Sequence, residues 1–138
     1  MRLIGRLGEA AQLLSRDVLQ PFFDAHRLHF GEFDVLATLR RAGAPYALSP
    51  TALYEAAMIS SGGMTNRLDR LERAGLIDRR PNPDDRRGTL VALTDSGFTL
   101  IDGLMEAHVE NEKRALAPLS RDEQEQLDAL LGKWLAGR

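Results

Sequence analysis

Two helix signals stand almost end to end in the middle of this 138-residue chain, and they restrict its fold more than any other feature. Ser49-Pro50 pairs an N-capping side chain with a proline at the first helical position, where the missing N–H removes no intrahelical bond. The short helix that follows runs to about Ala57. Ser60 is placed to cap a second helix, which continues to Ala74 and stops at Gly75. Helices joined by so short a link must cross at a large angle, which is the helix-turn-helix arrangement.

A hairpin is expected directly behind it. Leu76-Ile77-Asp78-Arg79-Arg80 and Thr89-Leu90-Val91-Ala92-Leu93 read as strands, and Asn82-Pro83-Asp84-Asp85-Arg86-Arg87-Gly88 between them is dense in turn formers. A hairpin in that place is a wing. On the N-terminal side, Leu3, Ile4, Leu7, Ala11, Leu14, Val18 and Phe22 recur at helical spacing, and Pro21 should kink or end that helix. A helix from about Phe30 to Ala42 stops at Gly43, and Gly43 to Leu48 reads as a loop. Thr94 caps a long helix to about Leu116, and Pro118 breaks it. Ser120-Arg121-Asp122-Glu123 reads as a capping box for a last helix, whose Leu127, Leu130, Leu131, Trp134 and Leu135 form one stripe.

The expected class is therefore mainly α with a small β-hairpin, in one domain spanning 1–138. Residues 30–94 form the winged helix-turn-helix lobe, with a recognition helix over about 61–74 and a wing over about 77–93. Residues 1–29 and 95–138 form a helical dimerisation region, because a chain this small has little lobe surface on which to bury both terminal apolar stripes.

Composition excludes several functions. There is no cysteine, which removes disulfides, thiolate metal sites and thiol chemistry together. His26, His29 and His108 show no metal spacing beyond one pair that flanks a helix boundary. No nucleophile-base pair, metal set or phosphate loop is legible, so no enzyme activity and no cofactor are expected. No apolar run reaches the ~18 residues of a membrane helix, and Met1 to Leu19 does not read as a secretion signal. The expected location is the cytoplasm. The net charge of −2 is uneven: residues 61–90 hold seven arginines against five acids, whereas 91–138 hold five basic and nine acidic residues. The positive charge is concentrated where the recognition helix and wing are expected, and there it is all arginine, which suits phosphate and groove contacts.

At ~100° per residue, Met64, Leu68 and Leu71 face inward from the recognition helix. Gly62, Thr65, Asn66, Asp69 and Arg73 face outward, and small polar side chains let a helix approach base edges in the major groove. Ser61, in the first turn, is placed to position the backbone against a phosphate. Arg70 is included in the same surface. Arg86 and Arg87 at the wing tip suit the minor groove, with Asp84 or Asp85 holding an arginine extended. Arg67 lies on the flank of the buried side, Arg79 shares the strand face of Ile77, and Asp34 stands in a helix apolar on nearly every side. These three are expected to meet inside, either as a structural ion-pair cluster or as a ligand site for a small anion. Two other functions are open to such a chain: a winged-helix protein-interaction module without DNA binding, and a small enzyme using Asp34 and the arginines for acid–base work.

The stretch from Ser60 to Ile77, then Pro83-Asp84-Asp85-Arg86-Arg87-Gly88, then Leu93-Thr94-Asp95-Ser96-Gly97, resembles the MarR family of transcription regulators. The match in order covers nearly the whole chain and is strongest from Phe33 to about His108. The resemblance implies a triangular homodimer on double-stranded DNA at a palindromic operator, with Asp85 supporting the minor-groove arginine Arg87. It also implies release by a small phenolic or anionic effector bound between lobe and dimer region. In the urate-responsive subgroup an acid and two arginines form that site, and Asp34, Arg67 and Arg79 stand at the matching positions. The subgroup's N-terminal tryptophan has no counterpart here, since the single tryptophan is Trp134.

Overall fold

The computed structural model describes residues 2–57 and 63–137. A helical rod opens the chain: α1 (Arg2–Leu13), a π-helical stretch (Leu14–Leu19) and α2 (Gln20–Ala25) follow one another without a break. Pro21 thus neither ends the rod nor stands mid-helix. It occupies the first turn of α2, and the wider π turn just before it absorbs the carbonyl that a proline ring would strike.

Helix α3 (Phe30–Arg41) is the centre of the lobe, and every residue from Gly31 to Leu39 is buried. The segment from Gly43, expected to be loop throughout, ends in a short strand β1 (Ala47–Leu48). Helix α4 (Pro50–Ala56) starts as its cap dictates, with Ser49 Oγ accepting the Ala52 N–H at 3.2 Å. Helix α5 (Met64–Arg73) is the recognition helix, and its start differs from the expected one near 61. Gly63 has φ +77°, a left-handed conformation that a right-handed helix cannot include. The Ser60 cap and the Ser61 and Gly62 positions lie outside the described residues.

Strands β2 (Ile77–Asn82) and β3 (Asp85–Leu93) form the hairpin, and β1 adds to β3, so the antiparallel sheet has the order β1-β3-β2. Helix α6 (Asp95–Ala115) returns across α3, and α7 (Arg121–Ala136) closes the chain. The core joins Leu36, Leu39, Leu53, Met64, Leu71, Ile77, Val91 and Ile101, all essentially inaccessible, so it ties α3 to α4, α5, the sheet and α6. The described parts of α1 and α7 bury nothing. Leu3, Ile4, Leu130, Trp134 and Leu135 are each more than half exposed. No described helix is long and apolar enough to cross a membrane.

Candidate nucleic-acid interface

Helix α5 has a sharp division of faces. Met64, Leu68 and Leu71 are buried, while Thr65, Asn66, Arg70, Glu72 and Arg73 are exposed and Asp69 is partly so. The exposed side is polar and unbranched apart from Thr65, and Arg73 donates to the carbonyl oxygen of Asp69, at 3.3 Å.

The wing carries a local irregularity that aims its arginines. Ile77 pairs with Leu93 and Pro81 with Thr89, but the next residue, Asn82, pairs with Asp85. Arg86, Arg87 and Gly88 consequently have no residue opposite them on β2, and a bulge of this kind redirects the side chains it carries. Two short bonds hold its root. Asn82 Oδ1 accepts the Asp84 N–H at 3.0 Å, and Asp85 Oδ1 accepts the Arg87 N–H at 3.1 Å. Asp85 therefore supports Arg87 through the backbone. Gly88 leaves room for it, because a Cβ there would stand 3.0 Å from Asp85 Oδ2. Arg86 and Arg87 are exposed.

The inner flank of α5 differs from the expected three-residue cluster. Asp34 is buried, at 3% exposure. Arg67 crosses α3 one turn earlier, at Gly31, and its guanidinium also lies beside Gly63. Asp34 and Arg67 are both engaged by partners. Arg79 does share the sheet face of Ile77, since it stands opposite the buried Val91. Its guanidinium, however, runs to the edge of that face and binds Asp69 Oδ1 at 2.9 Å and Glu72 Oε1 at 3.4 Å, both on α5. The expectation that Arg79 would point into an inner cluster is thus corrected. The reason is reach: alternation along a strand sets where Cβ points, but two further methylenes and the guanidinium carried the charge to two acids on the neighbouring helix.

A second acid on α3 was not foreseen. Glu32, at 7% exposure, accepts the His29 N–H at 3.2 Å and meets Arg70 Nη1 at 3.6 Å. Arg70 is therefore tethered toward the lobe, not wholly free for the outer surface. The spacing His29-x-x-Glu32 is that of a capping box, and it would have pointed to Glu32 had histidine been allowed at the cap. Among the described residues no His/Asp/Glu group has metal-binding geometry.

Comparison with known proteins agrees with this arrangement. The MarR family model matches residues 28–88, from just before α3 to the tip of the wing. The chain is 48% identical over 133 residues to the transcriptional regulator PecS of Dickeya dadantii, covering 96% of this chain and 80% of that one. Its fold matches a mutant MarR from E. coli complexed with operator DNA, with TM-score 0.82 and 28% identity over 96% of this chain and 93% of that one. It also matches BpsR of Bordetella bronchiseptica, whose DNA binding is regulated by 6-hydroxynicotinic acid, with TM-score 0.82 and 25% identity over 94% and 90%. These relatives are regulators of transcription, not enzymes. With a buried α3, an outward-facing α5 and an arginine-bearing wing, the chain belongs to the MarR family of winged helix-turn-helix, DNA-binding transcription regulators.

Proposed function

We propose that this protein is a homodimeric repressor that binds a palindromic operator and leaves it when a small anionic or phenolic molecule binds. One observation carries the DNA reading: the polar face of α5 stands beside a wing whose bulge presents Arg86 and Arg87 to solvent. Thr65 and Asn66 read base edges in the major groove, Arg73 and Ser61 meet phosphates, and Arg87 enters the minor groove. The exposed leucines of α1 and α7, with Trp134, support pairing of two copies through the terminal helices. Two copies would set two α5 helices about one DNA turn, ~34 Å, apart.

The effector reading is supported by charge placement. Arg67 and Arg79 both issue from the two elements that meet DNA, and Asp34 is buried one turn from Gly31, where Arg67 crosses. A carboxylate or phenolate entering beside Asp34 would draw on the Arg67 guanidinium and disturb the seat of α5. A ligand acts only through unequal affinity for the two arrangements, and a coupling of ~1–3 kcal/mol is common. The comparison with a regulator controlled by 6-hydroxynicotinic acid is in keeping with an effector of this chemistry.

The test is sedimentation combined with footprinting on the DNA upstream of the protein's own coding sequence, repeated with a panel of small aromatic acids and phenols. The expected result is a dimer, a two-fold symmetric protected site, and loss of protection with at least one compound. A monomer, or a site indifferent to the whole panel, would contradict the dimeric or the effector part respectively.

A further inference from the structure

The recognition helix carries two acids on the side that would face a polyanion. Asp69 and Glu72 are three residues apart on α5, next to Thr65, Asn66 and Arg73. Double-stranded DNA presents one negative charge per ~1.7 Å of its axis, so free carboxylates here oppose binding. Arg79 on β2 holds both: Nη2 lies 2.9 Å from Asp69 Oδ1 and Nη1 lies 3.4 Å from Glu72 Oε1. All three side chains are between 32% and 44% exposed. Ion pairs so exposed add little to folding stability. Their effect on the charge and the placement of α5 is another matter, because the guanidinium comes from the wing strand and each of its two arms fastens the helix to that strand.

We propose that Arg79 is a positioning residue for DNA binding: it masks the two carboxylates of the recognition helix and braces that helix against the wing, without itself touching the DNA. This rests on the DNA-binding reading above and is independent of any effector. It reassigns Asp69 from a base-reading residue to an anchor. It also accounts for the arithmetic of α5. Residues 64–73 hold three arginines and two acids, and Arg70 is already shared with Glu32, so the helix alone offers almost no net positive charge. With Arg79 in place the triad of Asp69, Glu72 and Arg79 carries −1, and without it −2.

The test is operator titration of the full-length wild type, Arg79→Gln, and Arg79→Gln with Glu72→Gln, without effector and over a range of salt. Wild-type binding of the operator is the control. If the wild type bound no duplex, the DNA-binding reading would fall and this inference with it. Given wild-type binding, Arg79→Gln should lower operator affinity severalfold at 0.1 M salt, while the salt slope falls by less than the one unit that a lost phosphate contact removes. Its thermal midpoint should stay close to wild type. Adding Glu72→Gln returns the triad to −1 and should recover most of the affinity. Unchanged binding in Arg79→Gln would overturn the inference. A loss that Glu72→Gln does not repair would overturn it as well, and would give Arg79 to a phosphate directly.

Discussion

Arg67 of the recognition helix passes over Gly31 of α3 so closely that a Cβ on Gly31 would stand 2.2 Å from the Arg67 Nε. The glycine makes room for the arginine side chain against α3. Because the clashing atoms include Cδ and Cζ as well, at 2.7 and 2.8 Å, a small rotation of the guanidinium tip cannot relieve them.

Gly31→Ala should therefore displace Arg67 and change the effector response, with little change in stability. In the first turn of α3 the alanine gains less than the ~1 kcal/mol of an interior position, which offsets part of the cost of rerouting the arginine. A double-mutant cycle with Arg67→Ala checks the cause. If the effect of Gly31→Ala on the response persists in full when Arg67 is absent, the contact is not responsible.

Arg87→Ala should weaken operator binding with the fold intact, and lower the salt slope by about one unit if the arginine neutralises one phosphate-like contact. Asp85→Ala should do less. Asp85 supports the Arg87 N–H on an exposed turn, where water can replace it. Equal losses in the two variants would mean that Asp85 does more than hold the backbone.

Gly97→Ala should destabilise the lobe, by about 3 kcal/mol at the upper end for overpacking. A Cβ there would stand 1.9 Å from the Leu76 carbonyl oxygen, a backbone atom fixed by the Thr94 N–H at 3.1 Å. Thr94 adds to this junction by donating to the Gly75 carbonyl at 2.6 Å and accepting the Gly97 N–H at 3.0 Å. Urea unfolding measures the cost, and a midpoint equal to wild type would contradict the packing.

The Ser120 backbone N–H, and after it the Ser120 side chain, holds the Glu123 carboxyl below its usual range. A depressed carboxylate contributes its stabilisation above the ordinary pKa and loses it as pH falls through the lowered one. The first turn of α7 should accordingly loosen as pH falls below the ordinary carboxylate range, and the Ser120 amide resonance should titrate with Glu123. Glu123→Gln keeps a cap of the same length and should remove the pH dependence. A Ser120 amide unmoved by acid would exclude the bond.

Much of this was legible in local chemistry. Ser49, Thr94 and Ser120 each accept the backbone N–H three residues on, as cap spacing implies. Alternation along β2 correctly put Arg79 on the face of Ile77. What local chemistry does not encode is where a long side chain ends. Arg79 was drawn to Asp69 and Glu72 by tertiary proximity of α5, and Arg67 found its channel only because Gly31 comes from another helix. Likewise Pro21 announced a break, yet a π turn before it kept the rod continuous. The wing bulge was also hidden, because turn formers mark a reversal but not the register at which pairing resumes.

The central claim is that α5 and the wing together read a DNA sequence. It is tested most directly by titrating the protein against its upstream operator and against the same duplex with substituted half-sites, at several salt concentrations. The account predicts one dimer per operator and a preference on the order of a thousandfold or more, with affinity falling linearly in log salt. Equal affinity for the two duplexes, or binding indifferent to salt, would contradict it.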